Sequence, residues 1–276
     1  MRRLGLALAL CLAAALPAGG ARGADPLDGP GLKAHLASLA DLLAQREGGA
    51  IPTLTDGDHA KLATGKAVLK EHKDGELIRG TVFRVAETEA WRIWLALSDN
   101  DHHEDFMPYV REGAVLEQAG GTKLAYQYLE MPAVKHRHLI TRARDNGALW
   151  QASGKTIWES VWWLEPDSED DVAGYIERGL IQHVTAEEAA EAIFTPANDG
   201  YWLLVELPDG RTLIVYQTFS DIGGKVPAFV VNEFGPQSMD KLTRVIETRG
   251  QAIESVFSSA AAAPPAPDGS PVEQLR

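Results

Sequence analysis

The segment GYWLLVELPDGRTLIVYQTFSDIGGKVPAFVVNEF, residues 200–234, contains a hairpin pattern followed by the start of an apolar helix. A Pro-Asp-Gly turn joins two runs rich in β-branched and aromatic residues, which predicts two antiparallel strands. Gly223 and Gly224 then separate the second strand from the helix, whose first turn tolerates Pro227. The apolar face from Pro227 to Phe234 must be covered by a filled core or by a molecule bound in a cavity, and periodicity does not distinguish the two.

The helix pattern continues from about Val226 to the region of Ile253, with a kink or break at Gly235-Pro236. One side is a buried stripe and the other is polar. The residues predicted to be buried are Val230, Val231, Phe234, Leu242, Val245, Ile246 and Ile253. Those predicted to face solvent are Asn232, Glu233, Asp240, Lys241, Arg244 and Glu247.

Upstream of residue 200 the patterns indicate helices and further antiparallel strands. Leucines at helical spacing predict a helix over 32–46, and Thr88 is a candidate N-cap for an aromatic-faced helix. Asp74-Gly75 predicts a hairpin turn. The remaining strand candidates are Gly113–Glu117, Lys123–Glu130, His138–Arg144 and Thr156–Leu164. Hairpin-length connections and one long final helix together predict an α+β fold, with an antiparallel sheet packed against that helix.

An acidic, helix-prone stretch at about 166–199 interrupts the strands. It predicts one short helix ending at Gly179 and another whose capping box is formed by Thr185 and Glu188. We interpret the stretch as an insertion or lid over the sheet edge, although Ile193 and Phe194 could equally begin a strand.

The chain begins with two arginines, an apolar run and small residues near Ala21 and Gly23, the layout of a cleavable signal peptide over residues 1–23. We therefore expect a periplasmic or secreted protein. The only cysteine, Cys11, lies in this segment, so the exported chain is expected to contain no disulfide and no thiolate metal site.

The formal net charge of −13 makes nucleic acid a poor partner, because phosphates would be repelled. The same charge disfavours long association with anionic bilayers but leaves room for transient membrane contact. The Ala/Pro-rich end, residues 258–276, is low in complexity and predicted to be disordered. The oligomeric state does not follow from the sequence.

Catalytic and metal-binding motifs are weak in this sequence. The SDNDHHEDF run, residues 98–106, holds good metal ligands, but adjacent side chains diverge, so we expect a solvated loop and neither metal nor cofactor. His136 or His138 could act as an acid or base near neutral pH. Arg137, entering a largely apolar strand, needs a carboxylate or a polar ligand group as partner. The aromatic residues that could line either a core or a cavity are Tyr126, Tyr128, Trp202 and Tyr216.

Four segments in order resemble the START superfamily of steroidogenic-acute-regulatory-related lipid-transfer domains, especially its bacterial members. They are FMPYVRE (106–112), YQYLEMP (126–132) followed by Arg137, GYWLL (200–204) and GGKVPAFVVN (223–232). The resemblance spans about residues 60–255. It implies a helix-grip fold, in which a curved antiparallel sheet surrounds a long C-terminal helix and a hydrophobic cavity.

The resemblance also implies where a ligand would lie. The residues expected to contact it are Tyr126, Tyr128, Arg137, Trp202, Tyr216, Pro227, Val230, Val231 and Phe234. The expected gate and hinge are Gly223, Gly224 and Phe229. Where phospholipid carriers of the family place a charged pair, this chain has His103 and Met107, which favours a less charged ligand.

The predicted organisation is a signal peptide at 1–23, a lead with an amphipathic helix at 24–58, a START-like domain at 59–257 and the tail. We expect a non-enzymatic protein that binds a lipid or sterol-like molecule and carries or presents it. One alternative is a helix-grip cyclase or hydrolase that uses His136, His138 or a cavity tyrosine. The other is an interaction module with a closed core, whose acidic insertion recruits a partner.

Overall fold

The computed structural model describes residues 25–74, 77–224 and 238–275. The helices are α1 (Gly29–Ser38), α2 (Ala40–Leu43), α3 (Asp56–Ala63), α4 (Ala90–Ser98), α5 (Gly147–Ala152), α6 (Val172–Glu177), α7 (Ala186–Glu191), α8 (Met239–Gln251) and α9 (Ile253–Val256). Short 3-10 segments lie at Asn100–Asp105 and Pro166–Asp171. The strands are β1 (Val68–Asp74), β2 (Leu77–Ala86), β3 (Val110–Ala119), β4 (Thr122–Leu129), β5 (Arg137–Asp145), β6 (Ile157–Leu164), β7 (Ile193–Phe194), β8 (Ala197–Glu206) and β9 (Thr212–Asp221). The predicted signal peptide lies outside the described residues.

Within the described ranges the nine strands form one sheet, in the order β1-β2-β9-β8-β6-β5-β4-β3. Neighbours along this path pair antiparallel, and β7 pairs parallel with β5. The predicted α+β class with an antiparallel sheet is confirmed. Both predicted hairpins form, β1 with β2 and β8 with β9. The strand alternative for Ile193 and Phe194 is also correct.

The two faces of this sheet carry different layers. On the face that we call the outer face, Leu203 and Val215 pack under the leucines of α1 and α2 and under Leu62 of α3. Farther along the same face, Tyr126 and Ile140 pack under Val172, Tyr175 and Ala189 of α6 and α7. On the opposite face, called the helix face, Trp158, Leu204 and Ile214 pack against α4 and against Ile246 of α8.

The acidic stretch forms a packed layer on the outer face, over the edge strand β3 and its neighbours β4 and β5. Its interior side chains are apolar and buried. The carboxylate of Glu112 in β3 accepts hydrogen bonds from the backbone amides of Gln182 and His183, and Arg111 forms an ion pair with Glu188 at 2.9 Å. Thr185 and Glu188 form the predicted capping box.

Residues 258–275, named the C-terminal strap, are packed against the helix face, contrary to the predicted disorder. Ala266, Val272 and Leu275 are buried in the cluster of α4. The indole nitrogen of Trp94 donates to the carbonyl of Pro265 at 2.8 Å. The prediction of disorder relied on the average composition of the segment. The strap is ordered by a few apolar side chains that pack on a surface formed by residues distant in the sequence.

Helix α8 lies against α4 and against β2 and β9. Ile246 and Ile253 are buried as predicted, but Glu247, predicted to face solvent, is buried as well. Its carboxylate forms an ion pair with the buried Arg84 of β2 and accepts a hydrogen bond from the backbone amide of Glu87. A charged residue on the inner side of an amphipathic helix is tolerated when an oppositely charged residue of the sheet pairs with it. The predicted cap is also corrected, because Glu89 and not Thr88 holds the N-cap position of α4.

Candidate ligand-binding site

Three aromatic rings form a stack on the helix face. Trp202 of β8 and Tyr216 of β9 are cross-strand partners, with ring centroids 4.1 Å apart and an interplanar angle of 13°. Trp162 of β6 stacks on Tyr216 from the other side, at 5.9 Å and 23°. All three side chains are half-buried. The stack therefore presents a broad apolar surface that the described protein covers only in part.

Sequence choices at two neighbouring positions hold this stack in place. Trp162 lies over Gly200, where any Cβ would collide with the indole, so that strand position has room only for glycine. The indole nitrogen of Trp162 donates to Asn198 Oδ1 at 2.8 Å. Trp162 was not among the predicted site residues. The signal was available, since in the pair Trp162-Trp163 strand alternation places one ring on each face.

The stack borders the part of the helix face that lies under α4 and α8, and Trp202 packs against that cluster. At the start of α8, Asp240 approaches the guanidinium of Arg84, whereas Glu247, two turns on, bonds to Glu87 at the end of β2. The strand positions of Trp202 and Tyr216 lie toward the other end of the sheet, beyond Arg84. We call the two ends of this face the filled half, under α4 and α8, and the aromatic half.

Burial of the Tyr216 hydroxyl raises its pKa to about 12, although a hydrogen bond with Thr218 opposes the shift. Tyr216 is therefore neutral at physiological pH and can donate one hydrogen bond. On the same face, Gln127 of β4 bonds to Nδ1 of the buried His103 at 3.0 Å. Desolvation lowers the pKa of His103 to about 3, so this ring is uncharged. Tyr216 and His103, both on this face, are therefore uncharged.

Arg137 is a cation on this face, with 1% of its surface exposed. Its guanidinium donates to the carbonyls of Ile222 at 2.9 Å and Gly223 at 2.8 Å, and also to that of Lys135. No carboxylate among the described residues pairs with it, and burial lowers its pKa. Arg137 thus binds the backbone at the end of β9, rather than the carboxylate or ligand group that the sequence predicted.

The predicted hinge glycines come shortly after the end of β9 in the chain. Gly223 has a φ of +67° and Gly224 a φ of +71°, both in the region that favours glycine. Added Cβ atoms would also press on Pro196 and Ile193, at 3.0 and 3.1 Å respectively. The other predicted gate and wall residues, Pro227, Phe229, Val230, Val231 and Phe234, lie outside the described residues.

Tyr126 and Tyr128 do not join Trp202 and Tyr216. Their strand positions place them on the outer face, where both are buried under the acidic layer. His138 lies with them, its ring near those of Tyr126 and Phe194, and desolvation lowers its pKa to about 4. Alternation along β4 correctly placed both tyrosines on one face of the sheet. The sequence did not show whether that face is the one that carries Trp202 and Tyr216.

The run at 98–106 folds into a 3-10 turn rather than a solvated loop. Asp99 is buried, bonded to His102 Nδ1 at 2.6 Å and to Arg249 at 3.1 Å. No group of three or more potential metal ligands converges within the described parts of the chain. No described helix is long and apolar enough to cross a bilayer.

Comparison with known proteins gives matches at the level of solved structures. No protein-family profile and no curated protein matches the chain. A STAR-related lipid transfer protein from Xanthomonas axonopodis is similar with a TM-score of 0.49 at 16% identity, over 66% of this chain and 98% of that one. Human STARD10 gives a TM-score of 0.49 at 14% identity, over 78% and 86%.

The Zhui aromatase/cyclase from Streptomyces is also similar, with a TM-score of 0.37 at 11% identity, over 70% of this chain and 97% of that chain. At these identities the likeness concerns the fold alone. What the site can do follows from its own side chains.

Proposed function

We propose that this protein binds a hydrophobic ligand on the aromatic half of the helix face, and carries or presents it outside the cytoplasm. The observation that carries the proposal is the half-buried stack of Trp162, Tyr216 and Trp202, which lies beyond the start of α8. Three large rings that remain partly exposed in an otherwise well-packed protein favour an apolar occupant.

The chemistry of the surroundings supports an uncharged ligand with one polar end. Each Å² of apolar surface that the ligand removes from water contributes about 25 cal/mol. The Tyr216 hydroxyl can fix a hydroxyl or carbonyl group by a hydrogen bond. His103 is buried and neutral, so it offers no charge for a phosphate. A sterol-like or neutral lipid therefore fits better than a phospholipid.

Release of the ligand would use the end of β9. The two glycines with positive φ give the backbone freedom there, and Arg137 donates to the carbonyls of Ile222 and of Gly223 itself. In this proposal Gly223 and Gly224 are the hinge, and the ligand leaves near a membrane or an acceptor protein. The signal peptide would export the chain, and cell fractionation of the tagged protein tests that part.

The test compares Trp162→Ala with Trp163→Ala. These neighbours lie on the same strand, and both are half-buried tryptophans, but only Trp162 is on the helix face. Wild-type protein from its native host is extracted with organic solvent and analysed by mass spectrometry. We expect a co-purifying apolar molecule, retained by Trp163→Ala and reduced at least tenfold in Trp162→Ala.

The proposal fails if the wild type carries no apolar molecule and a broad panel of lipids and sterols produces no thermal stabilisation. It also fails if both tryptophan variants lose the ligand equally, since loss would then reflect general destabilisation. An enzyme based on His138 gains no support from the geometry, because that ring is packed on the outer face.

A further inference from the structure

A cavity of about 200 Å³ lies beneath the C-terminal strap. Its floor is formed by Lys123 of β4 and Asp145 of β5, its wall by residues 98–102 after α4, and its roof by residues 262–265 of the strap. None of the three stacked rings lines this cavity, although Lys123 shares a row of the sheet with Trp162 and Asp145 shares one with Trp202.

Two opposite charges face this cavity without touching. Lys123 and Asp145 attract each other, yet no ion pair within 4.0 Å joins them among the described contacts. The Lys123 ammonium has one long hydrogen bond, 3.4 Å to the carbonyl of Ser98. Burial lowers the pKa of Lys123 and raises that of Asp145. Separated buried charges of opposite sign are costly unless something lies between them.

Three polar atoms around the cavity also lack partners. They are the hydroxyl of Ser98, the amide oxygen of Asn100 and one carboxylate oxygen of Asp145, whose other bonding goes to Ser160. Ser98 is 8% exposed and Asn100 is 9% exposed, so water has little access to their side chains. Each of these atoms can accept a hydrogen bond. Their grouping suits a donor-rich cation such as an ammonium.

The other charged groups at the cavity are already engaged. Asp99 is bonded to His102 and Arg249, and Asp101 accepts a hydrogen bond from the backbone amide of Val115 at 2.7 Å. The groups that remain able to bind a ligand are therefore the ammonium of Lys123 on one side and a set of hydrogen-bond acceptors, including Asp145, on the other.

We propose that the cavity under the strap binds a small zwitterion of amino-acid size. The carboxylate of the ligand meets Lys123, and its ammonium meets Asp145, Asn100 and Ser98. The volume is that of about six or seven water molecules at about 30 Å³ each, which leaves no room for acyl chains. The strap closes the site, because Pro264 and Pro265 roof it and Trp94 holds the carbonyl of Pro265.

The first experiment uses full-length wild-type protein and three probes in titration calorimetry. L-serine carries both charges, ethanolamine only the ammonium and propionate only the carboxylate. We expect serine to bind at least tenfold more tightly than either of the other two. Equal affinity for all three, or no binding of serine at millimolar concentration, would overturn the proposal without depending on any variant.

The second experiment removes each charge in turn. Lys123→Met and Asp145→Asn are each expected to weaken serine binding at least tenfold. Lys33→Met and Asp56→Asn are the matched controls, since that pair is exposed and far from the cavity in sequence, and both should bind serine like the wild type. Unchanged binding in Lys123→Met and Asp145→Asn would refute the assignment.

Two further outcomes would also count against the proposal. A crystal structure grown with serine that shows only ordered water in the cavity would mean that solvent satisfies these groups. Sedimentation with phosphatidylethanolamine vesicles that Lys123→Met abolishes, in the absence of serine binding, would assign the same charges to a lipid headgroup instead.

Discussion

The two halves of the helix face are built from the same kinds of residue but are completed differently. In the filled half, Trp94, Trp150 and Trp158 pack ring against ring and are covered by α8, α9 and the strap. In the aromatic half, Trp162, Tyr216 and Trp202 stack just as closely but remain half-exposed. Aromatic content therefore does not tell a core from a binding surface, and the elements that lie above the rings decide it.

The largest expected effect comes from the filled half. Trp94→Ala removes a fully buried indole, its contact with Trp158 and its hydrogen bond to the strap. We expect the free energy of unfolding to fall by about 3–5 kcal/mol, as measured by urea denaturation. Leu180→Ala, at an exposed position, is the control and should change it by less than about 0.5 kcal/mol. A small loss in Trp94→Ala would mean that the filled half is not the stabilising core.

The ion pair beneath α8 gives the next effect. Glu247→Ala leaves the buried Arg84 charge without its closest partner, so we expect a loss of about 3 kcal/mol. Replacing both residues, with Arg84→Met and Glu247→Leu together, should recover most of that loss, because no buried charge remains. Glu254→Ala, which breaks an exposed pair with Arg92, should cost at most about 1 kcal/mol. A double variant as unstable as Glu247→Ala would contradict this explanation.

Stability should also depend on pH through the buried histidines. The pKa is lowered to about 3 for His103 and to about 4 for His138, so the unfolded chain binds protons more readily than the folded one. Stability is therefore complete above the ordinary histidine pKa and falls as the pH drops from about 6.5 toward 4, by up to about 1.4 kcal/mol per pH unit for each group.

Denaturation of His103→Gln at several pH values tests this dependence. The variant should lose stability less steeply between pH 6.5 and 4 than the wild type. His72→Gln, at an exposed position on β1, is the matched control and should follow the wild-type curve. Identical slopes for His103→Gln and wild type would show that this ring does not contribute.

Much of the fold follows from local patterns in the sequence. The turns at Asp74-Gly75 and Pro208-Asp209-Gly210 and the capping box at Thr185 are short-range signals, so the strands and helices beside them were predicted. Contacts between residues that are distant in the sequence were not predicted. Glu247 was placed in solvent because Arg84 is far away in the chain, and the strap was called disordered because its packing surface is formed by α4 and α5.

The site was predictable only in part, for the same reason. Alternation places Tyr126 and Tyr128 on one face of β4 and Trp202 and Tyr216 on one face of their hairpin, but it does not say whether those faces coincide. The order of strands in the sheet decides that, and the acidic layer covers the tyrosines. Arg137 was predicted to pair with a carboxylate or a ligand group, whereas among the described residues it donates to backbone carbonyls, including those of Ile222 and Gly223.

The smallest expected effect on stability comes from a substitution in the aromatic half. It is also the most direct test of the difference between the two halves. Trp202→Ala removes a half-exposed ring and its stacking on Tyr216, so the free energy of unfolding should fall by only about 1–2 kcal/mol. If the exposed stack exists to hold a ligand, the same variant should lose the co-purifying apolar molecule, while the intact Trp94 keeps the fold. Urea denaturation and mass spectrometry on one preparation measure both quantities. A loss as large as that of Trp94→Ala, with the ligand retained, would mean that the two halves are a single core and that the rings of the aromatic half are structural.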